Sequence, residues 1–180
     1  MSTTTTINGL LNQLENQTEQ HIQFAIQTLQ NLNEQTLLRK SANGGWSIAQ
    51  CLWHLNSYGD FYHPEIEKGL STAVGSKALF KSSWIGSRFT QMMQPGKGKY
   101  KAFKTHVPPE ELNVHEVVAI FIQQQEQLLK LLRKASDKDL NRVKVPISIS
   151  RWIKLNLGDV FSFLITHNER HLQQAKRNIS

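Results

Sequence analysis

A chain of 180 residues suits one domain, spanning 1–180, and is long enough to bury a hydrophobic core; 39% apolar and 19% charged residues describe an ordinary water-soluble globule. No run approaches the roughly 18 to 20 apolar residues of a membrane helix, and a single cysteine, Cys51, excludes an internal disulfide. The formal charge of +7 raises nucleic acid as a partner to be weighed. The polar, uncharged stretch Met1 to Thr6 is unlike a signal peptide, so the expected location is cytoplasmic, with no membrane contact.

Ile7, Leu10, Leu14, Ile22, Ala25, Leu29 and Leu32 recur at helical spacing, which predicts a first helix from Ile7 to about Leu38, a rod of about 45 Å at 1.5 Å per residue. Asn43-Gly44-Gly45 breaks it. Ser47 and Gln50 then stand at the spacing of a capping box, so a second helix begins at Ser47 and is expected to fade near His63-Pro64 or Gly69. Its Cys51, His54, Tyr58 and Phe61 share one side, which sets His54 on a mostly apolar stripe.

From Ser71 to Glu110 the pattern is irregular, with a short helix around Leu79 to Met93 and a flexible Pro95-Gly96-Lys97-Gly98-Lys99 segment. Lys68, Lys77, Lys81, Arg88, Lys97, Lys99, Lys101 and Lys104 fall in or beside this crossover with no acidic residue among them. Solvated loop lysines are the commonest explanation of such a run, attraction of an anionic small substrate the next, and nucleic acid the last. Nucleic acid is the unfavoured partner because the chain has no helix-turn-helix signature, zinc finger or aromatic stacking platform.

Pro108-Pro109 closes the crossover, and Asn113 with Glu116 opens a third helix lined by Val117, Val118, Phe121, Leu128, Leu129 and Leu132. Val143 to Ile147 reads as short extended material, after which Asn156 or Leu157 starts the last helix. Four amphipathic helices with one long connection predict an all-α fold: an antiparallel four-helix bundle with a long irregular crossover between helices 2 and 3.

The last helix carries His167 and His171 four residues apart, on the stripe marked by Leu157, Val160, Phe161, Leu164 and Ala175. Residues i and i+4 are helical neighbours, close enough for both rings to reach one metal ion. A neutral imidazole in an apolar interior has one donor and one acceptor to satisfy, so the competing reading is a pair hydrogen-bonded within the core. His54 changes the balance, because three inward histidines on two helices can meet. Three nitrogen donors with a fourth position open make a catalytic or exchangeable zinc-type site, whereas a closed structural site wants four protein ligands.

Other residues invite plainer readings. Cys51 could reach the same metal but reads first as a small buried hydrophobe. Trp46, Trp53, Trp84 and Trp152 are core bulk or cavity walls. Asn168 occupies the position that holds the general base in HExxH proteases, and Glu169 should point away toward solvent, so no catalytic side chain is assigned. His21 is a possible neighbour of the site; His63, His106 and His115 read as surface or loop residues. Asp60 is a solvated side chain or an acceptor behind a ligand.

Trp46-Ser47 at a helix start, His54 two turns on, and His167, His171 and Gln174 on the last helix together resemble the DinB-like superfamily, also called YfiT-like, of small bacterial four-helix-bundle metalloproteins. The resemblance covers nearly the whole chain. It implies a divalent metal, commonly zinc, nickel or manganese, held by His54, His167 and His171 with water completing the set. It also implies a metal-dependent hydrolase or a thiol-dependent transferase, with a homodimer as the expected assembly. The substrate would be a small molecule, either anionic or a low-molecular-weight thiol. The alternative is a non-catalytic metal-binding or dimeric interaction bundle.

Overall fold

The computed structural model describes residues 4–41, 44–75, 77–98 and 100–179; Asn43 of the expected helix break, Lys99 of the expected loop and Met1 to Thr3 of the polar start lie outside them. Strand β1 (Thr4–Thr6) leads directly into helix α1 (Ile7–Gln27), where the Thr6 side chain accepts from the Gly9 N–H. The helix ends well before Leu38, and at 21 residues it is about 32 Å long. A 3-10 turn at Leu29–Asn31 follows, Leu32 is extended, and Asn33 caps a separate five-residue helix α2 (Glu34–Leu38) by accepting from the Thr36 N–H at 2.9 Å. The asparagines explain the break. Asn31 donates its side-chain amide to the Ile26 and Gln27 carbonyls, and with Asn33 it offers the backbone partners that compete with the helical ladder.

Helix α3 (Ile48–Ser71) opens with the expected capping box, Ser47 Oγ accepting from Gln50 N–H while Gln50 Oε1 accepts from Ser47 N–H. It runs through Pro64 and Gly69 to Ser71. Pro64 is exposed, and so is Asp60, whose carbonyl loses its helical partner there and can be solvated, while buried Ile66 and Leu70 hold the final turns to the core.

Between residues 72 and 113 lie strand β2 (Leu79–Lys81), helix α4 (Trp84–Met93) and a 3-10 turn at Lys104–His106. The first three residues of the expected short helix are therefore a strand, pairing antiparallel with β1 so that Thr5 faces Phe80, while Trp84–Met93 is helical as expected. That partner is more than 70 residues away, beyond the reach of local periodicity. Helix α5 (Val114–Lys134) begins where Asn113 accepts from the Glu116 N–H. A hairpin of β3 (Lys144–Ile147) and β4 (Ser150–Asn156) follows, with Val145 opposite Leu155, and helix α6 (Leu157–Lys176) closes the fold.

The chain is thus mostly helical, with six α-helices and two small two-stranded sheets among the described residues, where all-α was expected. Asn56 donates to the Val117 carbonyl near the starts of α3 and α5, and Glu67 accepts from Lys134 near their ends. These two helices run in the same direction, so the antiparallel expectation does not describe this pair, and their connection must travel the length of the bundle. Two apolar clusters fill the interior. One gathers the start of α1, the end of α3, the end of α5 and the start of α6; the other gathers the end of α1, the start of α3, the start of α5 and the end of α6. No described helix is long and apolar enough to cross a membrane.

Helix α6 also holds the crossover. Asp159, 1% exposed in its first turn, accepts from Ser82 Oγ at 2.6 Å and from Ser83 N–H and Oγ at 3.0 and 2.7 Å. Gly86 permits that approach, since a Cβ there would lie 2.1 Å from Asp159 Cγ. Farther along, Arg170 donates to the carbonyls of Gln94, Lys97 and Gly98.

Candidate metal centre

The capping box sets the start of α3, and with it the face on which His54 falls; the Leu157, Val160, Phe161 and Leu164 stripe does the same for His167 on α6. Packing α3 against α6 brings these faces together. One ring nitrogen each from His54, His167 and His171 can be chosen so that all three lie within 4.8 Å of one another. His54 Nε2 is 3.2 Å from His167 Nε2, and nitrogens bound at about 2.0–2.1 Å in a tetrahedral zinc site stand about 3.3 Å apart. His54 and His167 are each 3% exposed, and His171 is half-buried.

Hydrogen bonds define which nitrogens are free. His54 Nδ1–H donates to the His106 carbonyl at 2.7 Å, and His171 Nδ1–H donates to Gln174 Oε1 at 3.1 Å. Each ring then keeps its lone pair on Nε2. His167 Nδ1 is buried with no hydrogen-bond partner among the described residues, an unmet cost for a ring given up to the core. Burial holds His54 neutral down to about pH 4 and His171 to about pH 3, and it pushes His167 well below the ordinary histidine range. The charges of neighbouring histidines lower them further. Neutral imidazoles crowded this closely are what a cation requires of its ligands.

Aromatic rings enclose the group. Trp46 packs on His54 with ring centroids 4.8 Å apart and on His171 at 5.8 Å, Tyr58 lies 4.5 Å from His167, and Phe163 stacks parallel to His167 at 5.7 Å. Trp46 is therefore a wall of the site. Trp84 and Trp152, 77% and 96% exposed, are neither wall nor core.

Cys51 is fully buried in apolar surroundings, which push its thiol up to about 12, and it stands outside the histidine group. Asp60 accepts from Gln124 Nε2 at the surface. Among the basic residues of the crossover, those described are all exposed, and Lys77 pairs with Asp139 at 3.9 Å.

Three further expectations change. Glu169 does not simply face water: it accepts from His21 Nε2–H at 2.9 Å and from Gln173 at 2.7 Å, and chiefly the His21 bond holds its carboxyl far below the usual range. His21 is thus a buried tie between α1 and α6. His63 is half-buried, and burial lowers it to about 4. His106, read as a loop residue, is 5% exposed and its carbonyl orients a candidate ligand. No periodicity marks a residue delivered by an irregular turn, although Ser57 and Tyr58, three and four residues beyond His54, show where that face could receive one.

The model of the DinB superfamily matches residues 17–175. The chain belongs to the DinB superfamily. Among solved structures, YfiT from Bacillus subtilis, described as a probable metal-dependent hydrolase with an unusual four-helix bundle topology, is similar at a TM-score of 0.56. The match covers 96% of this chain and 85% of that one at 13% identity, a likeness that shows the fold alone. No curated protein matches the chain.

Proposed function

We propose that this DinB-superfamily chain is a divalent-metal-dependent enzyme in which His54, His167 and His171 hold zinc, nickel or manganese. The observation that carries the reading is the set of three inward ring nitrogens within 4.8 Å of one another, with no fourth protein ligand in the group among the described residues. A bound divalent ion would supply Lewis acidity that lowers the pKa of a water or thiol in the open position. The protein's own part is to keep the rings unprotonated, through burial, and to fix their directions, through His106 and Gln174. Trp46, Tyr58 and Phe163 exclude bulk water from the flanks. Glu169 is engaged with His21 and Gln173 and is not assigned as a base.

Hydrolysis and thiol transfer are the reaction classes proposed, on a small anionic or thiol substrate that the exposed basic residues of the crossover would attract. A homodimer is the proposed assembly, checked by sedimentation. The functional test begins with untagged protein, its metal content compared with that of His171→Ala. Wild type should carry close to one ion per chain, and the variant should lose it while keeping its helical circular dichroism. Metal-loaded protein is then assayed on esters, amides and thiol–electrophile pairs. Failure to retain zinc, nickel or manganese would overturn the proposal, and unfolding on chelation would make the site structural.

A further inference from the structure

We infer that Ser57 and His106 are positioning residues that lock the tautomer and direction of His54 through a closed ring of three hydrogen bonds. The inference rests on the metal-centre reading above. His54 Nδ1–H donates to the His106 carbonyl at 2.7 Å, and Ser57 Oγ–H donates to the His54 carbonyl at 2.7 Å. A hydroxyl has one proton to give, so the 2.9 Å contact between Ser57 Oγ and His106 Nδ1 is a donation from His106 to Ser57. Each of the three residues therefore gives one bond and receives one.

The ring is closed because the helix dictates it. Ser57 and Tyr58 follow His54 by three and four positions and share its face of α3. Ser57 supplies the hydrogen bond, and Tyr58 lays its ring against His106 with centroids 4.0 Å apart. Together they seat a turn that belongs to no helix of the bundle. Once seated, the turn presents its carbonyl to His54 Nδ1, which forces the proton onto that nitrogen and leaves the Nε2 lone pair facing His167. The crossover is in this way a working part of the centre, although it contributes none of the three nitrogens.

The test uses the full chain and two readouts. Long-range proton–nitrogen spectra of the ion-free protein report which His54 nitrogen carries the proton. Competition with a chelator for Co²⁺, together with the visible bands of the Co²⁺ complex, reports the site. In wild type, His54 should be almost wholly the Nδ1–H form. Ser57→Ala and His106→Ala should mix the tautomers, weaken Co²⁺ binding by about 10- to 100-fold and shift the bands. His106→Asn, whose amide N–H can replace the Nδ1–H bond to Ser57, should restore most of both; Ser57→Thr should do the same for the hydroxyl.

Unchanged tautomer, affinity and bands in Ser57→Ala and His106→Ala would overturn the inference. So would a His106→Asn variant as impaired as His106→Ala, which would leave ring bulk as the cause. If His106→Ala does not fold, the contrast between Ser57→Ala and Ser57→Thr decides. Wild type that takes up no Co²⁺ but shows the locked tautomer would sink the metal reading while leaving the hydrogen-bonded ring in place; a mixed tautomer in wild type would sink the ring itself.

Discussion

Acidification should destabilise the ion-free protein well above the pH at which its carboxylates titrate. Burial holds His54 and His63 neutral in the native state down to about pH 4, whereas the same residues in an unfolded chain titrate near 6.5. Above 6.5 both states are unprotonated and nothing is lost. As the pH falls below 6.5 the unfolded chain binds protons that the native fold refuses, and stability drops until the native pKa is reached. Between pH 7 and 5 the loss is about 2 kcal/mol for each of these two residues. His171, lowered to about 3, adds a similar amount. Because His63 and His171 keep some solvent contact, about 6 kcal/mol is an upper figure for the three, already comparable with the roughly 5–15 kcal/mol stability of a whole domain. Urea unfolding of chelator-treated protein at pH 7, 6 and 5, followed by circular dichroism, should show the midpoint falling at each step. His63→Gln, which touches none of the proposed ligands, should remove about 2 kcal/mol of the difference. Equal midpoints at pH 7 and 5, or a His63→Gln protein with the wild-type slope, would refute the reasoning.

Zinc at a hundred times its dissociation constant should stabilise the native protein by about 2.7 kcal/mol, and His167→Ala should abolish that gain in a thermal melt. Gly86→Ala drives a methyl group onto Asp159 and disrupts its bonds to Ser82 and Ser83. A loss of about 2–3 kcal/mol is expected, and a thermal midpoint within a degree of wild type would contradict the packing described. With its thiol pushed up to about 12, Cys51 is ionised to only about one part in ten thousand at pH 8. Ellman's reagent should therefore be inert toward folded protein and react fully in urea; rapid reaction in the native state counts against the burial. Trp152→Ser, at a residue 96% exposed, should shift stability by no more than about 0.5 kcal/mol in chemical denaturation.

What could be read from the chain follows the range of the forces involved. Ser47 with Gln50, Asn113 with Glu116, and the α6 stripe are local signals, and each stands where spacing placed it. The three histidines were legible as one group because two helix faces were each defined by their own periodicity. The interruption at residues 28–33 was not, since apolar spacing continues through Leu29 and Leu32 while Asn31 and Asn33 rewire the backbone beneath it. The β1–β2 pairing and the seating of His106 depend on contacts between distant segments, to which no window of sequence is sensitive. The partner of Glu169 is hidden for a related reason: its helical angle indicates a direction away from the metal, but only α1 reveals that His21 waits there.

The two grips of α6 on the crossover amount to a gauge. Asp159 meets Ser83 and Arg170 meets Gln94, eleven residues on in both segments, so α4 lies alongside α6 with the same heading and the same pitch. A residue inserted in either helix would slide its far end by about 1.5 Å and swing it by about 100°. One of the anchors would then miss its target. Length changes in these two helices can therefore be inherited only as matched pairs, and an unpaired insertion or deletion there would uncouple the crossover before it reached the histidines.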